Sequence, residues 1–459
     1  MARKGAHRGG STAGKKAGKE LTVEEKLEQA LVPEDEQPYA VPGNWCWTRL
    51  GRMTEVIGGG TPSSKVKEYY ENGTIPWICP ADLSGYNDIY ISHGAKNITK
   101  LGLEKSSAQL MPAGTVCLSS RAPIGYVVIA RNELSTNQGF KSFLPAPCYM
   151  PGYLYWYLRG NKELLENYAS GTTFLELSGS KAALVVFPLP PLAEQQRIVD
   201  RIESLFAKLD EAKEKAQAVV DGFELRKSAI LHKAFSGELT EQWRNMNGRS
   251  NSDWRIIQFG EVAVIKSNLV EPANYQDFPH IAPDNIEKKT GILLEYHTIA
   301  EDGVKSGKHL FHAGQILYSK IRPYLSKVVI VDFDGLCSAD MYPIDAKEDT
   351  RYLWYYMLSD EFLEQASNAG SRSVLPKINQ KELSKVMVRM TSLIEQQVIV
   401  KILDDIFEKE RQAKEAAEAV LDQIDIMKKS ILARAFRGEL GTNDLKEESA
   451  IELLKKFLA

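Results

Sequence analysis

Several features that would mark a definite class of protein are missing from this sequence. The five cysteines are an odd number and none of them forms a C-x-x-C pair, so neither a disulfide framework nor a zinc site is indicated. Reduced thiols of this kind predict a cytoplasmic protein. No apolar run approaches the length of a membrane span, and the N-terminus lacks the apolar core of a signal peptide.

A strong excess of positive charge is also missing. The chain contains 57 Lys and Arg residues against 60 Asp and Glu residues, with a net charge of −3. Residues 41–190 hold 13 basic and 10 acidic residues, and residues 250–388 hold 15 and 19. Any contact with nucleic acid is therefore expected from local clusters of side chains and not from a general positive field.

Motifs for catalysis and cofactor binding are scarce as well. Residues 9–16 approach a P-loop, but Lys16 occupies the place where a Ser or Thr must reach magnesium. No G-x-G-x-x-G follows a predicted strand, and no G-x-S-x-G elbow is found. His309 and His312 lack a further ligand at metal spacing, and we interpret them as a surface pair before a turn. The sequence predicts a recognition protein without catalytic, cofactor-binding or metal-binding residues.

What the sequence does contain is a long internal repeat. Residues 194–239 recur without a gap at 395–440, a shift of 201 positions. Both copies open with Glu-Gln-Gln and close with Ala-Phe-x-Gly-Glu-Leu. The glycine just past each ending is typical of a helix stop, so each copy is predicted to be one uninterrupted helix. About 40 residues at 1.5 Å per residue predict a rod of roughly 60 Å.

Both rods carry the seam of a coiled coil, with small or apolar residues at alternating steps of three and four. In the first rod these are Ile198, Ile202, Leu205, Leu209, Ala212, Ala216, Val219 and Phe223. In the second they are Ile399, Leu403, Ile406, Ala413, Ala417, Val420, Ile424, Met427 and Ile431, and Glu410 is the one charge that interrupts them. We interpret the two seams as partners of each other; the alternative is a dimerisation helix that pairs with another chain.

The segments that precede the two rods echo each other more weakly. Residues 111–114 correspond to 311–314, and the aromatic run at 153–158 corresponds to 352–357. Such echoes indicate two domains with a shared scaffold and different loops, and we interpret the aromatic runs as core. Near the N-terminus, Thr22 is a good N-cap for a short helix at 21–31 that is expected to pack against the rods.

These patterns predict an α+β protein of two mixed α/β domains separated by two long helices. The predicted segments are a disordered basic tail at 1–20, a helix and linker at 21–40, a first domain at 41–190, a first rod at 191–240, a second domain at 250–388, a second rod at 389–441 and a C-terminal helix at 442–459.

Several of these motifs together resemble a known family. They are 42–45 (Pro-Gly-Asn-Trp), 59–62 (Gly-Gly-Thr-Pro), 75–78 (Ile-Pro-Trp-Ile), 119–121 (Ser-Ser-Arg) and, above all, 187–196 (Phe-Pro-Leu-Pro-Pro-Leu-Ala-Glu-Gln-Gln), which opens the first rod. Over residues 21–441 the chain resembles the specificity subunit of a type I restriction-modification enzyme. The second half departs from the pattern, because 389–393 replaces the proline-rich entry and no Gly-x-Thr-Pro follows Trp254.

The resemblance implies a function and a set of partners. Each domain is expected to be a target recognition domain that reads one half of a bipartite double-stranded DNA sequence. The rods are expected to pack antiparallel as a pseudo-twofold repeat and to set the distance between the half-sites. Two methylation subunits, which carry S-adenosylmethionine, are expected to dock on the rods. Restriction-translocase subunits, with ATP and magnesium, complete the complex, which includes an adenine-N6 DNA methyltransferase; no membrane partner is expected.

Candidate DNA-binding residues are basic, hydroxyl and aromatic side chains in loops punctuated by Gly, Pro or Ser. In the first domain they are Thr61, Ser63, Ser64, Lys65, Ser120, Arg121, Thr172, Thr173 and Lys181. In the second they are Lys266, Ser267, Lys320, Arg322, Tyr324, Arg372, Ser373 and Lys377. The stretch 59–62 is either part of this contact or only a tight turn.

Other classes of function remain open at the level of sequence. One is a coiled-coil scaffold whose two domains bind proteins, and another is an enzyme with a degenerate site in one domain. A third is the recognition subunit of a related DNA methyltransferase or phage-defence system. A DNA-shift experiment with methylation subunits separates the scaffold from a DNA reader, and a methyl-transfer assay on the isolated chain tests for an enzyme.

Overall fold

The computed structural model describes residues 21–171, 175–369 and 376–459. The predicted basic tail and the P-loop-like residues 9–16 lie outside this part of the chain. Two compact units are found: the first combines the chain up to Lys213 with Asp422–Ala459, and the second is Glu214–Leu421. Within the described ranges, no helix combines the length and the apolar character needed to cross a membrane.

The helices alternate short elements in the two domains with long elements at 192–235 and 393–436. They are α1 Val23–Ala30, α2 Leu50–Met53, α3 Lys100–Glu104, α4 Pro151–Gly160, α5 Lys162–Tyr168, α6 Gly179–Leu184, α7 Leu192–Asp221, α8 Phe223–Phe235, α9 Glu241–Met246, α10 Phe259–Val262, α11 Thr350–Met357, α12 Asp360–Ala369, α13 Gln380–Leu383, α14 Leu393–Phe436 and α15 Ala450–Leu458.

The strands are short and fall into the two predicted domains, except that β21 continues two residues past residue 388. In the first they are β1 Cys46–Arg49, β2 Val56–Gly58, β3 Ile75–Ile78, β4 Tyr90–Ile91, β5 Lys96–Ile98, β6 Val116–Ser120, β7 Ile124–Ala130, β8 Ser135–Thr136, β9 Phe140–Phe143 and β10 Val186–Leu189. In the second they are β11 Arg255–Gln258, β12 Ala263–Ile265, β13 Leu269–Val270, β14 Pro279–Ile281, β15 His297–Thr298, β16 Lys308–Phe311, β17 Ile316–Ser319, β18 Val328–Ile330, β19 Gly335–Cys337, β20 Met341–Ala346 and β21 Met387–Met390.

Each unit is built around small sheets, some mixed and some antiparallel. The first contains sheets in the order β2-β9-β6-β7-β4, β5-β3-β8 and β1-β10. The second contains β12-β20-β17-β18, β13-β16-β19-β14-β15 and β11-β21. The antiparallel pair β6–β9 in the first unit corresponds to β17–β20 in the second, since Ser119 faces Phe140 and Ser319 faces Met341. The shared scaffold inferred from the sequence echoes is therefore present in both domains.

The aromatic runs form core, as the sequence predicts. In the first unit the rings of Tyr153 and Tyr157 pack edge-to-face on Phe187 and Phe436. In the second unit Phe235 makes the same contacts with the rings at 352 and 356. Edge-to-face packing of buried rings adds to the hydrophobic gain of burying them. In each unit, the last turn of a long helix is thus locked into the core of a recognition domain.

The long helices pair antiparallel within each unit, which confirms that the two seams satisfy each other. In the first unit Lys428 Nζ lies 2.5 Å from an oxygen of Asp210 and over the ring of Phe206. Arg197, earlier on α7, reaches the backbone oxygen of Thr442, which follows α14. As one segment advances along the chain, the facing segment therefore runs back.

In the second unit, Glu410, the one charge that interrupts the second seam, is paired with Arg226. The Arg226 Nε donates a hydrogen bond of 2.8 Å to Glu410 Oε2, and Lys414 Nζ lies 5.1 Å from the ring centroid of Phe223. The order of these pairs is again antiparallel. Glu410 is accommodated because the facing helix supplies a guanidinium at the same level.

The first rod is not the single helix that the sequence predicts. It breaks at Gly222, where α7 ends and α8 begins, whereas α14 runs through 44 residues. Glycine is a weak helix former, and Arg226 Nη2 folds back to the carbonyl oxygen of Val219 at 2.9 Å. A Cβ at 222 would lie 2.5 Å from Arg226 Nη1. The second copy has Gln423 at this position, and its helix continues.

The short N-terminal helix forms where the sequence predicts it, and both long helices end just before the predicted glycines. Thr22 caps α1 through a capping box with Glu25, as predicted. The helix packs against α15, where Lys26 Nζ donates to the carbonyl oxygen of Leu458 at 2.9 Å, and its Leu27 and Ala30 belong to the same buried cluster as Ala435 and Phe436 of α14. The predicted stops after the long helices are confirmed, because Gly237 and Gly438 both have positive φ.

Candidate nucleic-acid interface

The turn after β6 presents Arg121 at the edge of the first domain. The following residue, Ala122, has φ +48°, a left-handed conformation that L-residues rarely adopt. The Ser119 hydroxyl holds this turn, since it donates to Pro123 O at 2.7 Å and accepts from Tyr126 N at 2.8 Å. The Arg121 side chain is 38% exposed and lies 3.7 Å from Glu176. Such an exposed ion pair is weak, so Arg121 is available to another anion.

Beside this turn lies a half-buried lysine that the sequence analysis missed. Lys141, on β9, donates to Ser120 Oγ at 3.4 Å and to the carbonyl oxygens of Gln138 and Phe140 at 3.5 and 3.3 Å. Burial lowers the pKa of Lys141, and Arg121 lowers it further, whereas Glu176 raises it. A lysine between Phe140 and Ser142 in a buried strand was the only signal in the sequence.

The Gly-Gly-Thr-Pro stretch, residues 59–62, follows β2 and is not assigned to a turn, and Gly60 N donates to Thr136 O at 2.9 Å. Its glycines permit close approach: a Cβ at Gly59 would lie 1.9 Å from Asn137 O, and one at Gly60 would lie 2.1 Å from Ala108 N. This contact places the Thr61 hydroxyl in a hydrogen bond to Gln138 Oε1. Thr61, Ser120 and Arg121 thus meet around residues 137–141.

The other candidates of the first domain lie around this edge. Ser63, Ser64 and Lys65 are exposed in the loop that follows Pro62. Lys181 is exposed on α6, and its backbone N–H is bonded to the N-cap hydroxyl of Ser178 at 3.2 Å. The pair Thr172 and Thr173 lies outside the described residues.

The second domain carries an equivalent turn after β17. Arg322, with φ +47°, precedes Pro323, and Tyr324 at the tip is 47% exposed. The backbone N–H of Arg322 donates to Pro376 O at 2.8 Å, and that of Ile378 donates to Lys320 O at 2.9 Å. The turn is therefore tied to the segment that begins at residue 376.

Basic side chains surround this second turn. Lys320 Nζ donates to the carbonyl oxygen of Ala339 and lies 5.1 Å from the centroid of the Tyr342 ring. Burial lowers the pKa of Lys320, and Lys377 lowers it further, against the effect of Asp340. Lys377 Nζ lies 3.0 Å from Asp340 Oδ1.

Two other candidates of the second domain follow β12. Lys266 pairs with Asp345 at 3.0 Å, and Ser267 beside it is exposed. Arg372 and Ser373 lie outside the described residues.

One expectation about histidine is wrong. His309 is not at the surface, because it lies on β16, which is paired on both sides, and it is only 3% exposed. His312 is in the exposed turn, 3.5 Å from Asp334. Among the described residues, no group of three or more His, Cys, Asp or Glu is arranged to hold a metal ion.

Fold and site together define a class of protein: a pair of like domains, each with a basic turn at the edge of a small sheet and each joined to paired long helices. The family model described as "Type I restriction modification DNA specificity domain" matches residues 42–220 and 251–419. The chain therefore belongs to the type I restriction-modification DNA specificity family.

Two relatives illustrate the similarity. The type I restriction enzyme EcoDI specificity subunit of Escherichia coli is 40% identical over 337 residues, which cover 67% of this chain and 76% of that protein. The MjaIX specificity subunit of Methanocaldococcus jannaschii is 30% identical over 425 residues, covering 88% of this chain and 95% of that protein. These findings confirm the identification from sequence: the chain is a DNA specificity subunit and not an enzyme in its own right.

Solved structures share the fold. The HsdS subunit from Thermoanaerobacter tengcongensis has a TM-score of 0.61 at 18% identity, covering 88% of this chain and 100% of that chain. A chain from a structure described as "Structural basis underlying complex assembly and conformational transition of the type I R-M system" has a TM-score of 0.63 at 19% identity, again covering 88% and 100%. The predicted class of two mixed domains with long antiparallel helices is confirmed.

Proposed function

We propose that each domain of this specificity subunit reads one half of a bipartite double-stranded DNA target through the sheet edge that carries its basic turn. The observation that supports this most strongly is the occurrence of the same kind of turn, with a left-handed residue before a proline, after β6 and after β17. A duplicated scaffold with unlike side chains at the same edge is suited to two unlike half-sites.

The proposed contacts follow from the chemistry at each edge. Lysines and hydroxyl groups bind phosphate oxygens, whereas an Arg next to a rigid turn is suited to the edge of a guanine in the major groove. The proposal covers all the candidate DNA-binding residues named from the sequence and the target recognition domains at 41–190 and 250–388. The paired helices set the distance between the half-sites.

The helices also carry a surface suited to the methylation subunits. Two exposed apolar positions recur at the shift of 201: Leu192 with Leu393, just before the two copies of the repeat, and Leu225 with Ile426 within them. Leu225 is 76% exposed and Ile426 is 67% exposed. Large apolar side chains that no packing within the chain covers, and that are present twice, favour two copies of one partner.

The remaining partners belong to the same proposal. S-adenosylmethionine is bound by the methylation subunits, and ATP and magnesium by the restriction-translocase subunits that join them. The cytoplasmic location predicted from the thiols fits five cysteines that are all free, of which four are buried.

Methylome sequencing tests this function directly. A host that carries the system is sequenced with and without the gene for this chain. We expect a bipartite methyladenine motif that disappears on deletion, because the chain supplies the sequence recognition. A motif that persists without the chain, or a motif with one continuous site, contradicts the proposal.

A further inference from the structure

We propose that Lys141 and Lys320 are the same DNA-contacting cation, supplied to one place in the two domains from different strands, and that Lys141 determines specificity in the first domain. This inference rests on the proposed function. The sequence correspondence between the two domains does not pair these two lysines. At the shift that relates 111–114 to 311–314, the counterpart of Lys320 is Ser120 and not Lys141.

The backbone frame establishes which positions correspond. Ser120 N donates to Gly139 O at 2.7 Å, and Lys320 N donates to Asp340 O at 2.9 Å. On the next strand the register places Lys141 opposite Leu118, just as Tyr342 is placed opposite Tyr318. Ser120 is thus equivalent to Lys320, and Lys141 to Tyr342.

The two ammonium groups nevertheless arrive at the same backbone group. Lys141 Nζ donates to the carbonyl oxygen of Gln138, and Lys320 Nζ donates to the carbonyl oxygen of Ala339, its equivalent in the second domain. In the first domain the cation comes from β9 and the hydroxyl from β6. In the second domain the cation follows β17, and the facing strand supplies the Tyr342 ring. The place of the charge is kept although its strand has changed.

The acidic partner has moved in the same way. In the first domain Glu176 lies close to Arg121 and acts on Lys141. Lys377 takes the position of Glu176 in the second domain, because Leu177 N donates to Ser120 O just as Ile378 N donates to Lys320 O.

The acid of the second domain is instead Asp340, at the place of Gly139. In the first domain Lys141 and Arg121 lie beside Glu176, whereas in the second Lys320 and Lys377 lie beside Asp340 and the turn also carries Arg322. The different pattern of charges suits different base edges.

The environment of both lysines fits a contact made with DNA. Burial lowers the pKa of each ammonium group, so each is partly dehydrated before a ligand arrives. The hydrogen bonds of Lys141 are long, at 3.3 to 3.5 Å, and can be exchanged for a phosphate or base acceptor.

The test uses the chain assembled with its methylation subunits and a duplex that carries the methylated motif. We expect Lys141→Gln to weaken specific binding about tenfold and to reduce the slope of log affinity against log salt by about 1. Lys100→Gln, which removes an exposed charge from α3 of the same domain, is the matched control and should leave both values unchanged. Fluorescence anisotropy over a salt series measures both.

Exchange of the two arrangements separates a DNA contact from a role in holding the turn. The double variant Ser120→Lys with Lys141→Tyr recreates the arrangement of the second domain and should restore the salt slope, while its methylome changes only in the first half-site. If the wild-type complex binds the duplex specifically and Lys141→Gln has the same affinity and the same salt slope, this inference is overturned and the proposed function is left intact. Absence of specific binding by the wild-type complex removes the proposed function itself.

If Lys141→Gln fails to assemble with the methylation subunits, a second variant tests the inference. Lys141→Arg keeps the charge and changes its shape, so it should keep the salt slope and alter the first half-site in the methylome. If Lys141→Arg leaves both half-sites and the affinity unchanged, Lys141 does not determine specificity.

Discussion

At the scale of single residues, the repeat places a buried glutamate at the start of each long helix. In the second unit, Glu395 is fully buried and accepts hydrogen bonds from Thr240 and Thr391 at 2.6 Å and from Arg244 at 2.5 Å. Burial acts to raise the pKa of Glu395, but these hydrogen bonds outweigh it, so the pKa lies below its usual value. In the first unit, burial prevails and raises the pKa of Glu194 in spite of Thr442 and Arg197.

We predict that Glu395→Gln destabilises the protein by about 3–5 kcal/mol, because it leaves the Arg244 charge buried without a partner. Glu194→Gln is the matched control and should cost less, since its ionised form is already disfavoured. A depressed pKa contributes stability above the ordinary carboxyl pKa, and this stability is lost as pH falls through the folded value. Urea unfolding between pH 7 and 3 should therefore show a smaller acid-dependent loss in Glu395→Gln than in the wild type. Equal effects of the two variants at pH 7 contradict this account.

A second residue-scale prediction concerns the charge in the seam. By the shift of 201, Arg226 and Glu410 correspond to Met427 and Leu209. Glu410→Leu alone should destabilise the protein by about 1 kcal/mol, a modest value because both side chains are partly exposed. Adding Arg226→Met should recover that loss, since the pair then matches its apolar counterpart. A double-mutant cycle of chemical denaturation measures the coupling, and purely additive effects contradict a direct interaction.

At the scale of elements, contacts within each unit fix the register in which the long helices pair. Phe436 and Phe235 are fixed in the aromatic cores of their units, and Lys428 and Arg226 fix the pairing between. A 44-residue helix at 1.5 Å per residue is about 66 Å long. A change of helix length therefore has to be expressed at the domains that the helices carry.

We predict that inserting a few residues after Ala212 changes the number of base pairs between the half-sites and leaves both half-sites the same. The physical reason is that the inserted residues lengthen α7 and do not touch the reading edges. Methylome sequencing of the variant reports both quantities. The same insertion after Gly248, in an exposed loop outside the helices, is the control and should keep the spacing. A changed half-site with constant spacing would contradict the role of the helices as rulers.

At the scale of the whole molecule, the proposal that two copies of one methylation subunit bind the duplicated helices leads to a prediction. We predict that Leu225→Asp and Ile426→Asp each reduce the number of bound methylation subunits by one, and that the double variant binds none. A carboxylate in an apolar contact is costly to desolvate, which is the reason for the effect. Native mass spectrometry of the assembled complex counts the subunits.

The control for this prediction is Leu445→Asp. Leu445 is 70% exposed, but its counterpart by the shift of 201 is Arg244, so it is not part of a duplicated apolar position. We expect full assembly of this variant. Loss of both subunits from either single variant would show that the two positions do not act separately.

Much of the fold follows from local sequence alone. The heptad steps, the Thr22 cap and the glycine after each Ala-Phe ending depend on contacts between residues three or four apart, and they predict the helices and their stops. The break at Gly222 was not predicted because it depends on Arg226 folding back onto the carbonyl of Val219. The aromatic core was predicted because runs of large rings have few places other than an interior.

The sequence by itself therefore determined the duplication, the long helical segments, the family and the choice of Arg121 as a candidate contact. Only the tertiary structure decided that Lys141 lies beside Ser120, that Gly59 approaches Asn137, and that Arg226 pairs with Glu410. The physical reason is that strand register and helix pairing join residues that are distant in the chain. Such pairings bring the ammonium groups of Lys141 and Lys320 to equivalent carbonyl oxygens, although the two lysines come from different positions in the chain.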